Sequence, residues 1–284
     1  RTQTTPIRPA QGEELLRRPM RDRPGDNQSG HWLLAQVGKK VLRPGGRELT
    51  EKMLNSLPIR NHDVVELAPG LGKTAEKIVS EEPSSYTGVD EDPDAAHLAA
   101  SAAHQVASGH IPANAIRVLQ GRANSTPRAD AAVDAAAGDA LRTRQGDTGT
   151  AAIIEEVHRI LRPGGRYAIH ELGLQPNDLS DDTKTEVRKA LARSIKVNAR
   201  PLTEHEWQNL LTSHGFEVET THFAPMALLE PKRIINDEGI LRTLKIPVTF
   251  APKPNVPQDV MAMRSTFRNY ENELTASAIV AKKK

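Results

Sequence analysis

Glu66, Gly70, Gly72 and Asp90 are the residues whose types and spacing best suit chemistry at a ligand. They lie in two stretches, "DVVELAPGLGKTA" at 63–75 and "SYTGVD" at 85–90. Glycines, bare of Cβ, let a backbone turn sharply and let a ligand touch it. A phosphate would exploit the helix N-terminus that follows such a turn. Glu66 argues against that ligand, because a carboxylate repels a pyrophosphate and attracts a cation. Asp90 stands 20 residues beyond Gly70, where an acidic side chain accepts hydrogen bonds from ribose hydroxyls. The two demands together describe a nucleoside that is positively charged and carries no phosphate.

The surrounding elements must hold these residues at one edge of a sheet. Strands are expected at 64–67, 85–90, 115–120 and 166–172, with a weaker candidate in "AAVDAAA" at 131–137. Between them fall "KTAEKIVS", an alanine-rich helix at 93–107, and a helix whose face is Ile153, Ile154, Val157, Ile160 and Leu161. That spacing of three and four marks a buried stripe, and it stops at "RPGG", where proline cannot continue a helix. Strands separated by such helices imply right-handed crossovers and a doubly wound, mostly parallel sheet. Further on, Val187, Ala190, Leu191, Ser194 and Ile195 mark another helix, and Thr203 with Glu206 forms a capping box before Trp207, Leu210 and Leu211. Strands at 216–223 and 274–283 bring the sheet to seven, added antiparallel at its edge. "LRPGG" occurs at 42–46 and 161–165, read as one helix-stop chemistry used twice. Residues 1–30, rich in Arg, Pro and Gly, read as an arm. Residues 31–282 read as one domain, opening with short amphipathic helices at "HWLLAQVGKKVL" and "ELTEKMLNSL" and carrying cap elements at 176–215 and 224–273.

Composition narrows the partners. A net charge of +2 over 284 residues gives no footprint for nucleic acid. No apolar run reaches the roughly 18 residues of a membrane span. The chain has no cysteine, which removes disulfides, thiolate metal sites and cysteine nucleophiles and is compatible with the cytoplasm. The chain starts at Arg1 rather than Met, so a leader upstream would not be seen. The histidines show no H-E-x-x-H or comparable spacing, so no metal site is expected. A small-molecule partner is expected instead.

S-adenosylmethionine, with its sulfonium and ammonium, meets both demands of the glycine stretch. "ELAPGLG" resembles the first motif of the class I S-adenosylmethionine-dependent methyltransferases, and "GVDEDPDAAHLA" their second. "EEVHRILRPGGRYAIHEL" resembles the helix, turn and fifth strand of members acting on small molecules, and the two late strands resemble the family's reversed sixth and seventh. The resemblance spans about residues 49–282. It implies a Rossmann-like fold and an S-adenosylmethionine cofactor held by Glu66, Ala68, Gly70 and Gly72, by Asp90 and Glu91, and at Arg122 and Gly138. Three departures stand out. Ala68 replaces the usual first glycine. Arg122 occupies a place where many relatives carry an aspartate for the adenine amino group, a bond that a donor-only guanidinium cannot accept. The fourth strand is poor in large residues, around Gly138 and Asp139.

His170 and Glu171, ending the fifth strand, are candidates to deprotonate an acceptor hydroxyl or amine. Methyl transfer mainly requires alignment, so both could equally be structural. The missing cysteine excludes the thiolate chemistry of arsenite and cytosine-C5 methylation, and no "D-P-P-Y"-like tetrapeptide marks an amino methyltransferase of DNA bases. The expected activity is methyl transfer to a small molecule. Two alternatives stay open: a non-catalytic S-adenosylmethionine-binding protein, and a nicotinamide-dinucleotide oxidoreductase, since "GLGKTA" also fits G-x-G-x-x-A.

Overall fold

The structure, a computed structural model, describes residues 45–107, 109, 111–139, 142–195, 199–226 and 256–284. The expected arm, the helix at 31–42 with Trp32, and most of the second cap element lie outside them.

A single sheet organises the chain. Its strands are β1 (Asp63–Leu67), β2 (Ser85–Asp90), β3 (Ile116–Gln120), β4 (Val133–Asp139), β5 (Leu161–Leu174), β6 (Leu202–Thr203), β7 (Phe216–Pro225) and β8 (Leu274–Lys283). The order is β3-β2-β1-β4-β5-β8-β7, with two-residue β6 beside β5. β1 to β5 pair in parallel, whereas β8 runs antiparallel to both β5 and β7. The helices are α1 (Gly46–Leu54), α2 (Lys73–Ser80), α3 (Pro93–Val106), α4 (Arg142–Ile160), α5 (Asp181–Ile195), α6 (Glu204–Ser213) and α7 (Val256–Asn269). Side chains from α1, α2, α3, α5 and α7 share one apolar cluster on one face of the sheet. Those of α4 and α6 fill the other. This is the doubly wound sheet that the alternation of elements predicts.

Three details differ from the sequence reading. The late strands sit together at the edge, but they do not both reverse: β8 slots between β5 and β7, antiparallel to each, so β7 runs with β5. The first eight residues of β8 are all buried, while β7 is largely part-exposed. A strand covered on both faces reads as a continuous small and apolar run, and "LTASAIVA" is that run. Second, the two "LRPGG" copies are not equivalent. In the later copy α4 ends at Ile160 and β5 begins at once. Between Val133↔Leu161 and Ala135↔Arg166 the register slips, so Arg162–Gly165 bulge within the strand. Gly164 takes φ 79°, and a Cβ on Gly165 would meet the Asp134 carbonyl oxygen at 3.0 Å. In the earlier copy Gly45, at φ 68°, is the residue from which α1 starts. Third, the segment expected as the first cap element divides between layers. α5 packs with Met263 and Phe267 of α7, whereas Trp207 and Leu211 of α6 join the core beneath the opposite face.

The connection from β3 to β4 contains no helix and is held from outside. Arg159 grips Glu156 with two guanidinium nitrogens, at 2.8 and 2.7 Å, and reaches Asp130 at 2.6 Å. The Thr126 amide and hydroxyl donate to the same Glu156 carboxylate at 2.7 and 2.6 Å. Burial pushes the Glu156 carboxyl up, but the bonds from Arg159 and Thr126 outweigh it and hold the group below the ordinary glutamate range. A depressed carboxylate stabilises the fold above its unfolded pKa, and that contribution is lost as pH falls through the folded value. Glu156→Gln is therefore expected to cost about 1–3 kcal/mol at neutral pH. Wild type and variant converge below the glutamate range, as urea unfolding at the two pH values would record.

Candidate functional site

The register aligns the carboxyl ends of the central strands. Leu67 of β1 pairs with Val89 of β2 and with Gly138 of β4, and one residue further Asp139 pairs with His170 of β5. Asp90, Ala68, Asp139 and His170 thus form the next row across the sheet, where open α/β sheets take ligands.

The glycine turn sits in this row. Ala68 donates its amide to Val89 O at 2.8 Å and adopts φ 53°, a left-handed conformation that costs a residue with Cβ about 1–2 kcal/mol. That strain explains why glycine is usual there. Gly70 and Gly72 are both left-handed, at φ 56° and 79°, but serve different ends. A Cβ on Gly70 would face open space, its nearest neighbour being Ala68 O at 3.9 Å. A Cβ on Gly72 would stand 2.6 Å from Ala102 Cβ and 2.9 Å from Ala99 Cα. Gly70 is the cradle a ligand can enter, and Gly72 lets α3 close on the turn.

Asp90 is buried and tied to the turn. Its Oδ2 accepts from the Gly70 amide at 3.1 Å and its Oδ1 from the Asp92 amide at 3.0 Å. A carboxylate oxygen can accept from more than one donor, which suits ribose hydroxyls. Asp92 caps α3 by accepting from the Asp94 and Ala95 amides, with Pro93 at the first helical position. Glu91 and Arg122 lie beyond, with Arg122 Nε 3.4 Å from Glu91 Oε1. Gly138 is buried inside the sheet between Leu67 and Ile169. The turn, the acid and the open face of Gly70 fit S-adenosylmethionine.

Glu66 is 1% exposed, and its Oε2 accepts from the Tyr86 hydroxyl at 2.6 Å. The sequence reading missed this tyrosine. In the parallel register Glu66 faces Gly88. With no side chain at Gly88 the Tyr86 phenol lies across it, and a Cβ there would meet Tyr86 OH at 3.1 Å. The glycine within "SYTGVD" was the available signal. Burial, then the neighbouring Glu66 charge, raises the Tyr86 phenol well above its ordinary value, so it remains a donor. Tyr86→Phe keeps the ring but removes this donor from a buried carboxylate. It is expected to cost about 1–3 kcal/mol, read as a lower urea midpoint at unchanged m-value.

His170 and Glu171 do not end β5, which continues to Leu174. As strand neighbours they point to opposite faces. His170 is fully buried with Nδ1 3.5 Å from Thr50 Oγ1 of α1. Thr50 Oγ1 donates to Gly46 O at 3.1 Å, so a bond between the two requires the proton on Nδ1. Glu171 is 3% exposed on the side of Tyr167, whose phenol is raised by burial and then by the Glu171 charge. Only one of the two can face a given side of the crevice. Trp207 and Phe267 are core residues, and Tyr270 donates to Glu186 at 2.8 Å. A groove of about 450 Å³, lined by Leu174, Gln175, Asn177, Glu204, Phe223 and Asn272, opens beyond β5 and β7 on the same edge of the sheet. Among the described residues no group of three or more His, Asp or Glu is placed to hold a metal, and no helix is long and apolar enough to cross a membrane.

A family model described as a methyltransferase domain matches residues 64–165, from β1 into the bulge of β5. Residues 64–165 thus carry a methyltransferase domain, and the fold around it is that of the class I S-adenosylmethionine-dependent methyltransferases. It is 31% identical over 255 residues to an uncharacterized protein of Haemophilus influenzae, covering 89% of this chain and 98% of that one. Two solved structures show the same fold. One is a phosphoethanolamine N-methyltransferase 2 of Haemonchus contortus in complex with S-adenosyl-L-methionine (TM-score 0.64, 15% identity, 89% of this chain and 56% of that one). The other is the [4+2]-cyclase SpnF (TM-score 0.66, 17% identity, 98% and 97%).

Proposed function

We propose that the protein transfers the methyl group of S-adenosylmethionine to a small-molecule acceptor. The observation that carries this reading is the direct bond from the Gly70 amide to Asp90 Oδ2 at 3.1 Å, which joins a sterically open turn to a ribose-type acid. When bound, S-adenosylmethionine supplies an electrophilic methyl group on a sulfonium. Asp90 holds the ribose, and the open face of Gly70 admits the rest of the nucleoside to the backbone. Glu66, fixed by Tyr86, places negative charge beneath the turn and favours a cationic donor. Catalysis then rests on alignment and exclusion of water, under α1, α5 and α7. His170 is the candidate base on the α1 side, and Glu171 on the other. The groove past β5 offers amides, a carboxylate and the half-exposed Phe223 ring to a compact polar acceptor.

The test is transfer of label from S-adenosylmethionine carrying a tritiated methyl group to a cell extract divided by size. Label in the low-mass fraction supports the reading. Label confined to protein or nucleic acid overturns the acceptor class. A second reading, donor binding without turnover, is favoured by the complete burial of His170. It would be recognised by binding with no labelled product in any fraction.

A further inference from the structure

We propose that Glu91 and Arg122 act as a pair that reads the purine edge of the methyl donor, with Glu91 supplying the acceptor that Arg122 cannot. The inference rests on the reading of the crevice as an S-adenosylmethionine site. A ribose held through its hydroxyls by Asp90 has two ends. The Gly70 amide is bonded to Asp90 on the β1 side, so the chain bearing the sulfonium runs toward the glycine turn. The base, attached across the ring, then projects the other way, past β2 toward the segment after β3.

Glu91 and Arg122 stand there, on a backbone fixed at several points. The Gly121 amide donates to Asp90 O at 2.8 Å, and Gln120 Nε2 to Glu91 O at 3.3 Å. Arg122 pairs with Ser125 in an isolated bridge, and the segment beyond is gripped by Glu156 through Thr126. The two side chains are 66% and 42% exposed, for Arg122 and Glu91, at 3.4 Å. An ion pair so exposed contributes little to folding, so the fold does not explain it. It does set a guanidinium, donor only, beside a carboxylate, acceptor only.

Adenine presents the complement on its edge, a 6-amino donor next to the N7 acceptor. The carboxylate accepts from the amino group while the guanidinium donates to the ring nitrogen. A 6-oxo purine shows an acceptor where the amino group was, and the Glu91 oxygens oppose it. A site built to bond one polar group rejects the analogue that lacks it, because its own group is left unpaired. Glu91, just past the end of the second strand, is thus the discriminating acid.

Calorimetric titration with S-adenosylhomocysteine and its 6-oxo analogue S-inosylhomocysteine tests this. Wild type is expected to prefer the adenosyl compound by at least about tenfold. Glu91→Gln, whose amide can donate as well as accept, should reduce that preference to within about threefold. Arg122→Ala should weaken both ligands through N7, the 6-oxo compound at least as much because a guanidinium can also donate to its O6, and so keep or widen the preference. An unchanged preference in Glu91→Gln, or none in wild type, overturns the pair's role while leaving the donor site standing. Failure of wild type to bind S-adenosylhomocysteine at all overturns the donor reading, and this inference with it.

Discussion

Asp90→Ala is expected to raise the Kd for S-adenosylhomocysteine at least about a hundredfold. Two charge-assisted bonds to ribose hydroxyls are lost, each worth about 1.5–3 kcal/mol, and tenfold in affinity corresponds to about 1.4 kcal/mol. The loss has a second route. Asp90 also anchors the Gly70 and Asp92 amides, so the alanine variant loosens the cradle and the cap of α3. Asp90→Asn keeps the shape and one acceptor but turns its amide NH2 toward a backbone N–H. It should bind better than the alanine variant and worse than wild type. A Kd within threefold of wild type for Asp90→Ala would remove Asp90 from the site.

Alanine at the two glycines should divide stability from binding. Gly72→Ala combines left-handed strain of about 1–2 kcal/mol with overpacking against Ala102 Cβ and Ala99 Cα, worth about 1–3 kcal/mol. The contacts, at 2.6 and 2.9 Å, involve a short side chain and backbone, which have no rotamer to yield. A loss of about 2–5 kcal/mol in urea unfolding is expected. Gly70→Ala pays the strain alone, since its Cβ meets nothing closer than 3.9 Å. It should remain folded and lose ligand affinity, because the methyl group fills the cradle. Equal destabilisation by the two substitutions would contradict the division of labour.

Much of this was legible in the sequence, for identifiable reasons. α2 and β2 fall at the expected residues because their apolar positions match one period and are bounded by Gly, Pro or Asp. The capping box of Thr203 and Glu206 is present, with Glu206 Oε2 accepting from the Thr203 amide at 2.8 Å. β4 is a buried central strand despite its small residues, as Ala135 and Ala136 are fully covered. Other features depend on the third dimension. α4 starts at Arg142, far ahead of its apolar face, in a stretch whose glycines and threonines carry no helical period. The insertion of β8 between β5 and β7 is a matter of long-range pairing. The partner of Glu66 required knowing that Gly88 lies opposite it. The opposite orientation of His170 and Glu171 did follow from strand periodicity, but the reading that β5 ended there concealed it. The contact between Glu91 and Arg122, 31 residues apart, likewise depends on the packing of the second and third strands.

The measurement closest to the central claim is calorimetric titration of the wild-type protein with S-adenosylmethionine, S-adenosylhomocysteine and NAD. The account predicts micromolar binding of the first two and none of the third. Binding of NAD in preference to S-adenosylmethionine would contradict it.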